Sequence, residues 1–320
     1  MKLCTLCHIT PVEKGQSWCP NCKKEYSKNY RKENKKHIKN LMIDWRNANR
    51  EHYRESKFNY YSTTKGRISH LVRSAKRRAQ KSKLEFNISS EYLFLLWEKQ
   101  NGKCAITHLD LIIPTSKGNG KASPYSPSID RINPKLGYVE NNVRLVCYAT
   151  NCCLHNYGTE IFSVIAKAFL YGEIPETLPT LIDKQKELSY KQEQDKKYRE
   201  GMNGIITTLF NSSKRGSKLN EYNFDLTKDF IKNMFDEQNY KCKLTGIRFD
   251  NKAYNVISNP FRASIDRIDP SKGYTKDNVR LVLVAVNFAL NEFGEDTFKV
   301  ICKSYLKQSL NSEEKNTPSL

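Results

Sequence analysis

An α+β fold, built from two tandem copies of one domain behind a small cysteine-rich module, follows from three observations. A nineteen-residue segment is written twice: residues 128–146 read SIDRINPKLGYVENNVRLV and residues 264–282 read SIDRIDPSKGYTKDNVRLV. Thirteen of the nineteen positions agree without a gap. A basic, helix-prone stretch precedes each copy, and two cysteine pairs open the chain. An internal repeat of this kind fixes the architecture before any single element does.

Each copy begins with Ser-Ile-Asp-Arg-Ile, a short β-branched run that suits a strand. A turn follows, with Asn133, Pro134 and Gly137 in one copy and Asp269, Pro270 and Gly273 in the other. Val-Arg-Leu-Val suits a returning strand, and Cys147–Tyr157 and Leu283–Phe293 suit a helix. Asp130 and Asp266 thus fall on a first strand. Asn151 and Asn287, each 21 residues later, fall on a helix. The repeat extends upstream, because Ser74–Cys104 aligns without a gap with Ser212–Cys242. Lys76 pairs with Lys214, Arg77 with Arg215, Phe86 with Phe224 and Gln100 with Gln238. Ser89 and Thr227 stand as N-caps before the apolar-periodic EYLFLLWEKQ and KDFIKNMFDEQ. Each domain is therefore a basic helix, a capped helix and a strand–loop–strand–helix unit, over 67–172 and 204–308.

The first 26 residues carry Cys4, Cys7, Cys19 and Cys22 as two Cys-x2-Cys knuckles eleven residues apart. Four thiolates at this spacing close a tetrahedron around one structural Zn²⁺, and so few apolar residues need a metal to fold. His8 is then a bystander. Residues 27–66 form a basic helical arm, in which YRKENKKHI (30–38) echoes WRNANREHY (45–53). A long helix, polar all round and broken near Ser62–Gly66, has little core to join. It reads as an arm along a phosphate backbone or as a solvated linker helix. The densest basic patch is Ser74–Leu84, with Lys76, Arg77 and Arg78; Lys214 and Arg215 repeat it. Residues 173–203 read as a polar helical linker and 309–320 as a disordered tail. Ile113–Pro127 and Asn251–Ala263 differ between the copies and read as variable loops.

Formal net charge is +20 and the pI about 9.4. That surplus points to a polyanionic partner, because neutralised phosphates release their counterions. No apolar run approaches the ~20 residues of a membrane span, so no membrane partner is expected. MKLCTLCHIT lacks the apolar core of a signal peptide, so the chain is expected in the cytoplasm, not secreted. Its ten cysteines are then reduced. Inside the repeats, Cys104 and Cys147 face Cys242 and Leu283, too few thiols for a tetrahedral site, so no zinc is expected there. Cys152 and Cys153 read as small buried residues.

The repeated segment resembles the HNH, or ββα-metal, nuclease family. In that family an Asp on the first strand and an Asn or His on the helix hold a divalent metal against the scissile phosphate. By that resemblance Asp130 and Asn151 are metal ligands in the first copy, and Asp266 and Asn287 in the second. Asn142 and Asn278 match the loop Asn that supports the site. Arg131 and Arg267 stand where the family's general-base His is expected, although a phage and restriction-enzyme branch also writes Asp-Arg here. A similar basic segment follows zinc knuckles in phage HNH proteins. His155 stands four residues after Asn151, where colicin-type relatives carry a metal-binding His; the second copy has Asn291 there.

Carboxylate and amide oxygens suit Mg²⁺ or a similar cation, which keeps several of its waters. Arg131 and Arg267 cannot take a proton at useful pH but can bind phosphate and stabilise its developing charge. His108 or Tyr125 could activate the water in the first copy, and Tyr254 in the second. The expected function is a metal-dependent DNA endonuclease of phage or homing type, acting on double-stranded DNA. Nucleoid association in a bacterial or phage-infected cell follows from that. Two sites in one chain would let a monomer act as a pseudo-dimer. The alternative is a non-catalytic, sequence-specific DNA-binding protein derived from such domains. RNA binding is a third class, which the basic charge and 18 Tyr allow.

Overall fold

The computed structural model describes residues 2–113, 123–179, 189–250, 252 and 259–316, and it is a mixed α+β structure in which helix predominates. The chain divides into two compact units, Met1–Tyr61 and Ser62–Leu320.

In the first unit, β1 (Lys2–Leu3) pairs antiparallel with β2 (Pro11–Val12). Three helices follow: α1 (Pro20–Glu33), α2 (Lys35–Ala48) and α3 (Arg50–Tyr61). The continuous arm expected from the sequence is broken at Asn34 and Asn49. Each of these folds its own amide onto the carbonyl four residues back, Asn34 on Tyr30 at 3.0 Å and Asn49 on Trp45 at 2.9 Å. Asn competes for backbone groups in this way and so ends helices. The fifteen-residue echo in the sequence thus marks the breaks. None of the three helices buries a residue.

The second unit holds both repeats. The first comprises α4 (Thr64–Ser82), β3 (Phe86–Asn87), α5 (Ser90–Lys99), β4 (Pro127–Arg131), β5 (Tyr138–Val139), β6 (Val143–Cys147), α6 (Tyr148–Leu154) and α7 (Gly158–Tyr171). After α8 (Tyr190–Glu200), which lies in the expected linker, the second comprises α9 (Met202–Asn220), α10 (Lys228–Glu237), β7 (Ala263–Arg267), β8 (Val279–Leu283), α11 (Val284–Leu290) and α12 (Gly294–Asn316). Ser89 and Thr227 cap α5 and α10, each hydroxyl accepting an amide three residues on at 3.1 Å. Residues 180–188, Tyr254 and parts of both variable loops lie outside the described residues. Helix α12 runs through most of the expected tail. Its buried turns at Ile301, Cys302, Tyr305 and Leu306 anchor it, and propagating a formed helix is cheap.

Strands β4 and β6 pair antiparallel, with Asp130 opposite Arg144; β7 and β8 do the same, with Asp266 opposite Arg280. The open edge of β6 is closed by a side chain. Gln100 donates to the Leu145 carbonyl at 2.8 Å and accepts the Leu145 amide at 3.1 Å. Gln238 does the same for Leu281 in the second repeat. One amide side chain so replaces a missing strand and satisfies two backbone groups. A short parallel contact of β3 with β5 was not foreshadowed by sequence. It forces Gly137, because a Cβ there would stand 2.0 Å from the Glu85 carbonyl oxygen.

The two repeats share a core. Helices α6 and α7 pack on α11 and α12, and one buried cluster runs from Ala149 to Leu306. The contacts are reciprocal. Phe162 meets Tyr305 with ring centroids 4.8 Å apart, and Phe169 meets Phe298 at 4.6 Å. Shifting by the repeat interval of 136 turns one pair into the other. His155 stacks on Phe288 at 4.3 Å, and its counterpart Asn291 donates to Cys152, the counterpart of Phe288, at 3.2 Å. This is the self-complementary pattern of a two-fold interface, here within one chain. No helix among the described residues is long and apolar enough to cross a membrane.

Candidate metal centre and phosphate clefts

The four N-terminal cysteines converge, with their sulfur atoms all within 4.8 Å of one another. A tetrahedral Zn²⁺ with Zn–S near 2.3 Å needs sulfurs about 3.8 Å apart, so the set fits. Cys4 comes from the β1 hairpin, and Cys19 and Cys22 from the start of α1. The Cys19 amide donates to the Cys4 sulfur at 3.2 Å. Pro20 occupies the first helical position, where its lost amide costs nothing. Backbone amides of Thr10 and Ile9 bring the Cys7 thiol down to about 5, while the adjoining Cys19 thiol pushes Cys22 up to about 12. Four thiols this close cannot all ionise without a cation, which a bound metal supplies.

In the first repeat a cleft of about 290 Å³ opens between β4, α4 and α6. Asp130, Asn151, Arg131, Arg78, Tyr138 and His155 line it. Asp130 is 5% exposed and accepts from Arg144 Nε at 2.7 Å through Oδ2. Burial pushes its pKa up, and Arg144 opposes that rise. Asn151 donates its amide to Ser128 Oγ at 2.7 Å and to the Ile129 carbonyl at 3.1 Å. These two bonds fix the amide's orientation and leave its oxygen as the free atom. Arg131 Nη1 donates to the Pro134 and Leu136 carbonyls at 2.8 and 3.1 Å, and the guanidinium lies over the Tyr138 ring at 5.2 Å. Arg78 reaches the same tyrosine, donating from Nε to its hydroxyl at 3.0 Å.

Asn142 does not line this cleft. It is buried and clamps the loop between the strands. Its amide donates to the Asn133 and Gly137 carbonyls at 3.1 and 2.9 Å, and its oxygen accepts the Asn133 amide at 2.9 Å. Asn278 makes the same three bonds around Asp269 and Gly273. His155 does not continue the α6 face, because α6 ends at Leu154 and His155 caps it with φ of 45°. Asn291 shares that conformation, with φ of 46°. A strained backbone repeated at one place in both copies is over-determined by the fold. His155 still reaches the cleft, and desolvation lowers its pKa. His108 lies elsewhere, exposed in a groove with Lys99, Asn101 and Lys103. Tyr125 packs against the core.

The second repeat keeps the residues and changes their surroundings. Asp266 accepts from Arg280 at 2.8 Å, and Arg280 is shared with Glu295 on α12. Thr159 is the counterpart of Glu295 in the first repeat. Asn287 is oriented by Ser264 and Ile265 as Asn151 is by Ser128 and Ile129. Arg267 Nη1 donates to Pro270 and Lys272 carbonyls, and its guanidinium stacks on Tyr222 at 4.6 Å and Tyr274 at 5.2 Å. Gly216 replaces Arg78. Lys76, Arg77, Lys214 and Arg215 are exposed on α4 and α9.

Sequence reading missed Arg144, Ser128 and Tyr138 as parts of the site. The signal was present, since all three recur in the second copy as Arg280, Ser264 and Tyr274. Comparison with family models, curated proteins and solved structures returned no match.

Proposed function

We propose that this chain is a metal-dependent DNA endonuclease of the HNH type, with its cutting centre in the first repeat. The observation that carries the reading is the convergence of Asp130, Asn151, Arg78, Arg131 and His155 on one cleft. The donor set fits a hard cation. Asp130 offers Oδ1, because Oδ2 is taken by Arg144, and Asn151 offers its amide oxygen. Two oxygen donors suit Mg²⁺, which retains most of its waters. Such a cation supplies charge for the phosphorane and help for the leaving oxygen.

The chain's own residues do the rest. Arg78 and Arg131 are braced on Tyr138, so their positions are set before a phosphate arrives. Preorganised cations of this kind stabilise developing charge without reorganisation. His155, held neutral further into acid by desolvation, can accept a proton from water at Nδ1 or Nε2. The basic arm and the exposed Lys76, Arg77, Lys214 and Arg215 add sequence-independent attraction to the duplex. Reciprocal packing of the repeats lets one monomer present two related clefts to DNA. A supercoiled-plasmid assay tests this. Nicking with Mg²⁺, none with EDTA and none in Asp130→Ala is expected; metal-dependent cutting retained by Asp130→Ala would place the centre elsewhere. A chain that binds the plasmid and never cuts it would be the non-catalytic DNA-binding protein.

A further inference from the structure

The two clefts are not equivalent, and the difference follows from a few positions. In the second repeat a cleft of about 290 Å³ is lined by Arg262, Thr208, Ser212, Ser264, Tyr274 and Asn287, and Asp266 is not among its lining residues. Asp266 is as buried as Asp130 and is held by Arg280 as Asp130 is by Arg144, but here the one guanidinium also serves Glu295. Arg262 replaces Ser126 of the first repeat and enters the cleft from the loop before β7. Thr208 and Gly216 replace His70 and Arg78. Around the shared Asp, Arg and Asn the second repeat therefore loses one arginine, from the helix, and gains another, from the loop.

Arg262 is half-buried, and among the described residues its guanidinium has no hydrogen-bond or ion-pair partner. Desolvation lowers its pKa, and Glu200 and Asp250 offset that only in part. Asp250 lies near enough to act on it, but its carboxylate is occupied by the Asn259 amide at 2.9 Å and the backbone amide of Lys252 at 3.1 Å. The opposing charges of Arg199 and Glu200 act on Arg262 in opposite directions. Ser212 lines the same cleft, as do Thr208, whose hydroxyl donates to the Gly204 carbonyl at 2.8 Å, and Asn287, whose amide donates to Ser264 and Ile265. The planar fork of Arg262 donors, with the Ser212 hydroxyl in the same cleft, is a seat for a tetrahedral oxyanion.

We propose that the second repeat's cleft is a phosphate seat, holding one backbone phosphodiester of the bound nucleic acid on Arg262 without cutting it, since Asn291 stands where the first repeat has His155. This rests on the nucleic-acid-binding part of the reading above, and not on cleavage. The seat fixes where the strand lies relative to the first cleft, so one repeat positions while the other cuts.

The test uses the full chain in EDTA, so cleavage plays no part. Binding of a labelled duplex is followed by fluorescence anisotropy across a KCl series for wild type, Arg262→Ala and Arg262→Lys. Arg262→Ala should bind more weakly at low salt and lose about 0.9 from the slope of log K against log salt, the signature of one lost phosphate contact. Arg262→Lys should keep the slope. Should Arg262→Ala prove too unstable to measure, Arg262→Gln, which keeps the stem and a polar end, is read in the same way. A folded variant without Arg262 whose slope is unchanged overturns the seat. In a parallel arm, inorganic phosphate should raise the melting temperature over chloride in wild type only. Phosphate stabilisation that depends on Arg262, with an unchanged duplex slope, would make this a small-anion site and overturn the nucleic-acid assignment. Loss of slope in a chain that never cuts plasmid leaves the seat standing and removes the nuclease.

Discussion

Replacing Asn142 with Ala separates a structural from a chemical role for the loop asparagine. Its side chain makes three hydrogen bonds of 2.9–3.1 Å inside the β4–β6 loop. It is only 6% exposed, so water cannot replace them. At about 1 kcal/mol net for each bond, with three backbone groups left unpaired, the cost is about 3 kcal/mol. The β4–β6 strands pack in one buried cluster and the repeats meet in a second, both within the compact unit Ser62–Leu320, which should melt together. For a unit of that size 1 kcal/mol moves the melting temperature by about 2–4 °C, giving a fall of about 6–12 °C. Asn142→Asp should be no better. It keeps the acceptor for the Asn133 amide but turns two donations into repulsion between a carboxylate and two carbonyls. The assay is thermal unfolding followed by circular dichroism, with plasmid nicking measured below both transitions. A fall under about 2 °C together with lost nicking would refute the clamp and put Asn142 on the reacting groups.

Two further outcomes follow. Purified chain should carry one zinc, and Cys19→Ser should lose it with the α1 helix signal while the transition of the second unit stays in place. Unchanged metal content would sink the four-thiolate site. For His155, the lowered pKa means that the unfolded chain takes up a proton before the folded one as pH falls. Its contribution to stability is present above roughly pH 6.5 and is lost as pH falls through the folded value. The acid limb of nicking should lie below the ordinary histidine range and change in His155→Gln; an unaltered limb would remove His155 as the proton acceptor.

The amino-acid sequence by itself determined whatever depends on local order. The duplicated segment set two copies of strand, loop, strand and helix. Ser89 and Thr227 announced their helices because a cap needs only an amide three residues away. Cys-x2-Cys twice over announced a cluster of four thiols, because a single turn sets the spacing within each pair. Asp130 and Asn151 were legible because they recur at equal spacing. Only the tertiary structure decided the rest, since it joins residues distant in sequence. That Asp130 shares its carboxylate with Arg144 depends on strand register. That Gln100 closes the edge of β6 depends on α5 lying across it. The fusion of the repeats into one core depends on reciprocal aromatic contacts such as Phe162–Tyr305, 143 residues apart. The inequality of the two clefts was the least visible. It arises from a helix residue, Gly216, a loop residue, Arg262, and a distant carboxylate, Glu295 on Arg280. No window of the sequence contains all three.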